Sequence, residues 1–168
     1  WPARAYGAPA PLEAAAFPLP NLGPRLAAIR DELLNGRGFS LLKGVPVRRW
    51  SRRDSAIAFM GLGAHLGRAR SQNAAGHLLG HVRDLGLSGT DPAVRLYQTH
   101  ERQTFHTDSC DVVGLLCLVQ ARRGGDSLLV SSTTIFNEMR RRRPDLAEIG
   151  RAHGLNSSPD QLSYAVFC

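Results

Sequence analysis

Residues 105–119 read FHTDSCDVVGLLCLV: a histidine and an aspartate two positions apart, followed by an almost unbroken apolar run. The run over 112–119 predicts a strand buried on both faces, since a short continuous apolar stretch bounded by polar and turn residues suits a sheet interior. Upstream, VRLYQT (94–99) predicts another strand, with Val94, Leu96 and Gln98 on one face and Arg95, Tyr97 and Thr99 on the other. Downstream, Arg122, Arg123, Gly124 and Gly125 form a turn and 128–131 a further strand. Ser131 or Ser132 then caps a helix that turns Ile135, Phe136 and Met139 inward and stops at Pro144.

Toward the N-terminus the pattern becomes helical. Residues 1–20, with five prolines among many alanines, predict an extended arm. A helix follows, with Pro24 in its first turn, Leu26, Ile29 and Leu33 on one face, and Gly36 or Gly38 at its end. Residues 39–42 predict a short strand. Ser51 opens a second helix, with Asp54 three residues on as a short-armed capping box, and Ile57, Met60 and His65 continue it toward Gly67. Helices first, then strands, then a helix argue for an α+β fold with a mainly antiparallel sheet.

The chain has 168 residues, 43% of them hydrophobic, enough for one domain with a core and too apolar for disorder throughout. No stretch of about 18 apolar residues predicts a membrane span. The formal charge is +7, and Lys43 is the only lysine among 21 basic residues. The densest run, Arg140 to Arg143, fits a solvated helix end, where cations suit the dipole, better than a nucleic-acid surface, because no nucleic-acid motif and few aromatics accompany it. Cys110, Cys117 and Cys168 form no CxxC pair, so a zinc knuckle is excluded. Three cysteines without a secretory signal suggest buried free thiols in a reducing, cytoplasmic setting.

His106 and Asp108 carry the chemistry. On an extended segment, residues two apart point the same way, so an imidazole and a carboxylate can touch one metal ion. With a second imidazole they make the facial triad of a non-haem Fe(II) site, which leaves positions open for an oxidant and a co-substrate. The context is more specific than the pair. GRGFSLLKGVPV (36–47), SQNAAGHLLGHVRDLG (71–86), YQTHERQTFHTDSCDVVGLLCL (97–118) and GGDSLLVSS (124–132) resemble the TauD/TfdA family of Fe(II)- and 2-oxoglutarate-dependent dioxygenases, related to clavaminate synthase. The resemblance implies a double-stranded β-helix, a jelly-roll barrel with the N-terminal helices packed outside. It implies that His106 and Asp108 bind iron, and that Ser127, just after Gly-Gly-Asp, contacts the 2-oxoglutarate carboxylate. It also implies that O2 is consumed and that a small organic substrate is hydroxylated. Gln72, Asn73 and His81 lie where related enzymes line the substrate pocket; the same residues also read as a polar loop closed by its own amides.

The family pattern calls for a distal histidine and a nearby arginine that clamps 2-oxoglutarate. After Asp108 the chain offers only His153, in a context unlike the family's, and it is not assigned as the third ligand. The expected organisation is an arm over 1–20, the N-terminal part of a dioxygenase domain over 21–148, and a divergent tail over 149–168. The C-terminal half of the barrel would be missing, leaving 112–119 exposed. Three accounts fit: a fragment of an oxygenase, a truncated and inactive paralog acting as a binding protein, or a chain whose barrel is completed by a partner. The oligomeric state is left open.

Overall fold

The structure is a computed structural model that describes residues 12–73, 76–108, 110–153 and 163–167, with the backbone alone for 149–153 and 163–167. It divides into two compact units, residues 1–118 with 162–168, and residues 119–161.

The first unit holds helix α1 (Gly23–Asn35), helix α2 (Arg52–Ala64) and strands β1 (Arg68–Ala69), β2 (Val112–Leu115) and β3 (Ser163–Phe167). Helix α1 starts with Pro24 in its first turn and ends at Gly36, as its sequence predicts. Leu26, on its inner face, is fully buried. Just past the helix, Gly38 takes a φ of 80°, a left-handed conformation that favours glycine. Helix α2 starts at Ser51, whose hydroxyl accepts from the Asp54 N–H at 3.1 Å and donates to the Asp54 carboxylate at 2.7 Å. The short arm of aspartate thus closes the cap through the serine hydroxyl.

Within the segment read as an extended arm, residues Ala14–Ala16 make one 3-10 turn. The next residue, Phe17, lays its ring against Gly61 of α2, where any β-carbon would collide with it. The ring nitrogen Nε2 of His65, at the end of α2, lies 2.8 Å from the Phe17 carbonyl and donates to it. Phe17 therefore straps its part of the arm onto α2.

The sheet has the order β1-β3-β2, and both pairings are parallel: Arg68 aligns with Ser163, and Val112 through Leu115 align with Tyr164 through Phe167. This corrects the antiparallel expectation. Parallel neighbours need long connections, and both links here are long; the one from β2 to β3 runs through the whole second unit. Helix α2 packs on β1 and β3. The three strands do not build the barrel, complete or partial, that the resemblance implied.

Four predicted strands differ. Residues 39–42 and 128–131 form no strand, and Phe39, Leu41, Leu128 and Leu129 are exposed. Residues Leu96–Gln98 form a 3-10 turn. Of 112–119 only Val112–Leu115 is strand, and it is not buried on both faces: Val113 and Leu115 are exposed, and so is Val119 beyond them, at 85%. The physical reason is shared. β propensity describes fit to a paired, half-buried surface, and a segment without a partner strand has nowhere to place its backbone hydrogen bonds. The central strand β3, by contrast, lies in the tail read as divergent.

The second unit contains helix α3 (Ser132–Arg142) packed on helix α4 (Pro144–His153). Ser131 is the α3 cap and accepts from the Thr134 N–H at 3.1 Å. Gly124 and Gly125 both have positive φ, 65° and 77°, so the predicted turn needs glycine at two successive positions. Ile135 and Met139 are exposed rather than inward, and Ala147 of α4 is buried. The arginine run is engaged locally: Arg141 and Arg142 both reach Glu138 at 2.8 Å, and Arg143 grips Asp145 with two hydrogen bonds. Their guanidinium groups serve the helix ends, as the solvated reading expects. Cys110 and Cys117 are not joined in a disulfide, and they are half-buried and exposed respectively, not buried; Cys168 lies outside the described residues.

Candidate metal centre

The segment that carries His106 and Asp108 is irregular and sits between two anchored stretches. Upstream, residues 83–101 are laced together. The N–H groups of Arg83 and Leu85 donate to the carbonyls of Tyr97 and Gln98 at 3.0 and 2.8 Å. Thr99, buried among these loops, donates its hydroxyl to the Leu96 carbonyl and accepts from the Glu101 N–H. Glu101 in turn accepts the Gly89 N–H at 2.8 Å. Downstream, Cys110 contacts the Val112 carbonyl through its sulfur, and β2 enters the sheet.

Between them, the Nδ1 atom of His106 lies 2.8 Å from the Thr104 carbonyl. A carbonyl only accepts, so Nδ1 carries the proton, and in the neutral ring Nε2 keeps its lone pair. Nε2 lies 3.9 Å from Oδ1 of Asp108. Two metal–ligand bonds of about 2.1 Å span that separation only at a wide angle, so the two side chains must close by about 1 Å to hold one divalent ion in cis. The donor set, one imidazole and one carboxylate, suits a borderline ion such as Fe(II). Both side chains remain accessible, His106 at 52% and Asp108 at 32%. Among the described residues no third His, Cys, Asp or Glu joins them. The side chain of His153 lies outside the described residues.

The other predicted site residues fall in two places. The Gln72 amide donates to the Arg70 carbonyl at 2.8 Å. The Asn73 side chain accepts the His77 N–H and also meets the His77 ring at 2.9 Å. These amides therefore close their own loop. Four residues beyond His77, His81 is exposed yet partly desolvated. That desolvation, with the positive charge of Arg52 and His77 nearby, holds its imidazole below the usual histidine range. Ser127 belongs to the second unit, two residues after the glycine turn, and is exposed. His100, read as a loop residue, lies 3.8 Å from Asp84 at the surface.

Sequence reasoning missed Thr104 and Glu101. Thr104 acts through its backbone carbonyl, which every residue possesses, so no side-chain pattern signals it. Glu101 acts across twelve residues on a glycine N–H, a contact that spacing alone does not announce.

The sequence around this pair is that of a dioxygenase family. The family model for the taurine catabolism dioxygenase TauD, TfdA family matches residues 4–163, and the chain belongs to that family. The match begins inside the proline-rich arm and continues past residue 149, into the tail expected to be divergent. The chain is 34% identical over 136 residues to FR-33289 synthase of Streptomyces rubellomurinus, covering 80% of this chain and 40% of that protein. It is also 34% identical over 140 residues to a taurine hydroxylase-like protein of Stachybotrys chartarum, covering 79% of this chain and 36% of that one. The chain thus spans well under half the length of these curated relatives. No solved structure matches it. No helix among the described residues is long and apolar enough to cross a membrane.

Proposed function

We propose that this chain supplies His106 and Asp108 to the Fe(II) centre of a 2-oxoglutarate-dependent oxygenase that hydroxylates a small organic substrate. The observation that carries the reading is the 3.9 Å approach of His106 Nε2 to Asp108 Oδ1, with the Thr104 carbonyl holding Nδ1. Membership of a dioxygenase family supports it.

Bound iron, with 2-oxoglutarate and O2, supplies the oxidising power to convert a C–H bond to C–OH while 2-oxoglutarate is converted to succinate and CO2. The chain's own part is positioning. Thr104 fixes the His106 tautomer, so that Nε2 presents a lone pair and not a proton. Asp108 supplies negative charge that offsets part of the metal's. Ser127 offers a hydroxyl donor to the 2-oxoglutarate carboxylate. Gln72, Asn73 and His81 contact the substrate from the 72–81 loop, with His81 kept neutral at pH 7 and able to accept as well as donate. Cys110 and Cys117, not joined in a disulfide, fit a reducing, cytoplasmic setting.

The test is anaerobic titration of the chain with Fe(II) and 2-oxoglutarate, read by the visible charge-transfer band of such chelates. A band is expected in the unaltered chain and absent from His106→Ala and Asp108→Ala, with far-ultraviolet circular dichroism unchanged. Equal iron stoichiometry in all three proteins would overturn the assignment. A folded chain that binds no iron would favour the binding-protein alternative.

A further inference from the structure

The His106–Asp108 pair stands on a stretch without regular secondary structure, so something must limit its wandering. On the C-terminal side the ladder between β2 and β3 does so. On the N-terminal side, among the described residues, the last tertiary hydrogen bond before the pair is made by Glu101, whose Oε1 accepts the Gly89 N–H at 2.8 Å. Gly89 has room only for a hydrogen on that face: a β-carbon there would lie 2.6 Å from Glu101 Oε2 and 2.8 Å from Leu96 Cδ2. The Glu101 backbone is itself held, because its N–H donates to the Thr99 hydroxyl at 3.1 Å, and that hydroxyl donates to the Leu96 carbonyl. The strand of chain that Glu101 grips, 83–89, begins two residues after His81 and is laced to 97–98 by two backbone hydrogen bonds.

From this geometry we infer that Glu101 is a positioning residue: its carboxylate clamps the 83–89 segment to the ligand segment and so links the substrate-side loop to the His106–Asp108 pair. The inference rests on the reading of that pair as metal ligands for its functional meaning, but the clamp itself is a property of the chain. The contacts of Glu101 are to Gly89 and Thr99, not to His106 or Asp108. It acts by bracing the point from which the ligand segment departs. Without it, the Glu101 N–H still holds to the Thr99 hydroxyl, but the 83–89 segment no longer backs that anchor. A looser departure point means more conformations in which His106 and Asp108 do not face one another, so metal binding must order them first.

Two measurements on the full chain test this. The first is native-state hydrogen exchange of the metal-free protein. In Glu101→Ala, exchange across 86–91 and across 102–108 should rise together, by about tenfold, while α1 and α2 stay unchanged. Glu101→Gln keeps a carbonyl acceptor at the same reach and should restore protection of both segments. The second is Fe(II) affinity by the charge-transfer band: about tenfold weaker in Glu101→Ala, the size expected when a supporting contact behind a ligand is lost, and near normal in Glu101→Gln. Gly89→Ala adds a control. It should weaken Fe(II) binding in the unaltered chain by pushing the carboxylate aside, and add little in the Glu101→Ala background. If 86–91 loosens in Glu101→Ala while 102–108 does not, or if Glu101→Gln fails to rescue, the clamp is overturned. If the unaltered chain binds no Fe(II), the reading of the pair fails, while the exchange data still decide the clamp.

Discussion

Helix α2 closes its own backbone hydrogen bonds; the apolar run over 112–119 cannot. The helix needs a cap, which Ser51 supplies, and one covered face, which the sheet and the Phe17 strap supply. The run needs a partner at every other backbone group and cover for its side chains. It finds β3 for four residues, and its alternate side chains stay in solvent. Local hydrogen bonding makes an element nearly self-sufficient, whereas sheet pairing makes it depend on chain far away in sequence.

The sharpest way to break this contrast is to disturb what covers α2. Gly61→Ala places a methyl group into the Phe17 ring. Overpacking costs about 1–3 kcal/mol, and alanine returns up to about 1 kcal/mol of helix propensity, so a net loss of about 1–2 kcal/mol is expected. In a Phe17→Ala background the clash is gone, and the same substitution should stabilise the helix by up to about 1 kcal/mol. Urea unfolding of the four proteins of this cycle reads the change of sign. Additive effects would show that the strap does not rest on α2. A step smaller is Ser51→Ala, which removes the acceptor of the Asp54 N–H and should cost about 1 kcal/mol, while Ser51→Gly should cost only a few tenths. Equal losses in the two variants would mean that the hydroxyl bonds are not what start the helix.

What the sequence revealed follows the same division. The cap at Ser51, the Pro24 start and the glycine turn at 124–125 are local events between residues a few positions apart and appear where the sequence puts them; the Ser131 cap and the Gly36 stop are each one of the two nearby residues that the sequence offered. The strands at 39–42, 94–99 and 128–131 were read from composition, and β composition does not say whether a partner exists. The central strand β3 carried a signal in Tyr164, Ala165, Val166 and Phe167, but its place between β1 and β2 depends on residues about fifty or more positions away. At the site, the His-x-Asp spacing gave the pair, while the Thr104 carbonyl that orients His106 has no sequence signature. The amides of Gln72 and Asn73 were readable as loop-closing groups, and they close the loop.

On the strand side of the comparison, Leu115 is 61% exposed at the end of β2. Leu115→Thr should change stability by no more than about 0.5 kcal/mol, because an exposed leucine buries little and the β-branched threonine suits a strand. The same change should slow aggregation at high protein concentration, measured by light scattering, since it interrupts an apolar segment at a sheet edge. A loss above about 1 kcal/mol would instead mean that this face is covered in solution, as the apolar pattern first suggested.

The smallest effect expected is a pH dependence at His81. Desolvation, with Arg52 and His77 adding positive charge, lowers its pKa in the folded protein below the usual value of about 6.5. The unfolded chain therefore binds the proton more readily than the folded one, and stability rises with pH across the interval between the two values. His81 contributes fully above about pH 6.5, and the contribution is lost as pH falls through the depressed folded value. His81 is largely exposed, so solvent screens the effect and the slope is shallow. Urea midpoints between pH 5 and 8 should fall on the acid side in the unaltered chain and fall less steeply in His81→Gln. Parallel curves would show that the folded chain does not disfavour the charged imidazole, and would remove the reason for expecting a neutral His81 on the loop that leads into the Glu101 clamp.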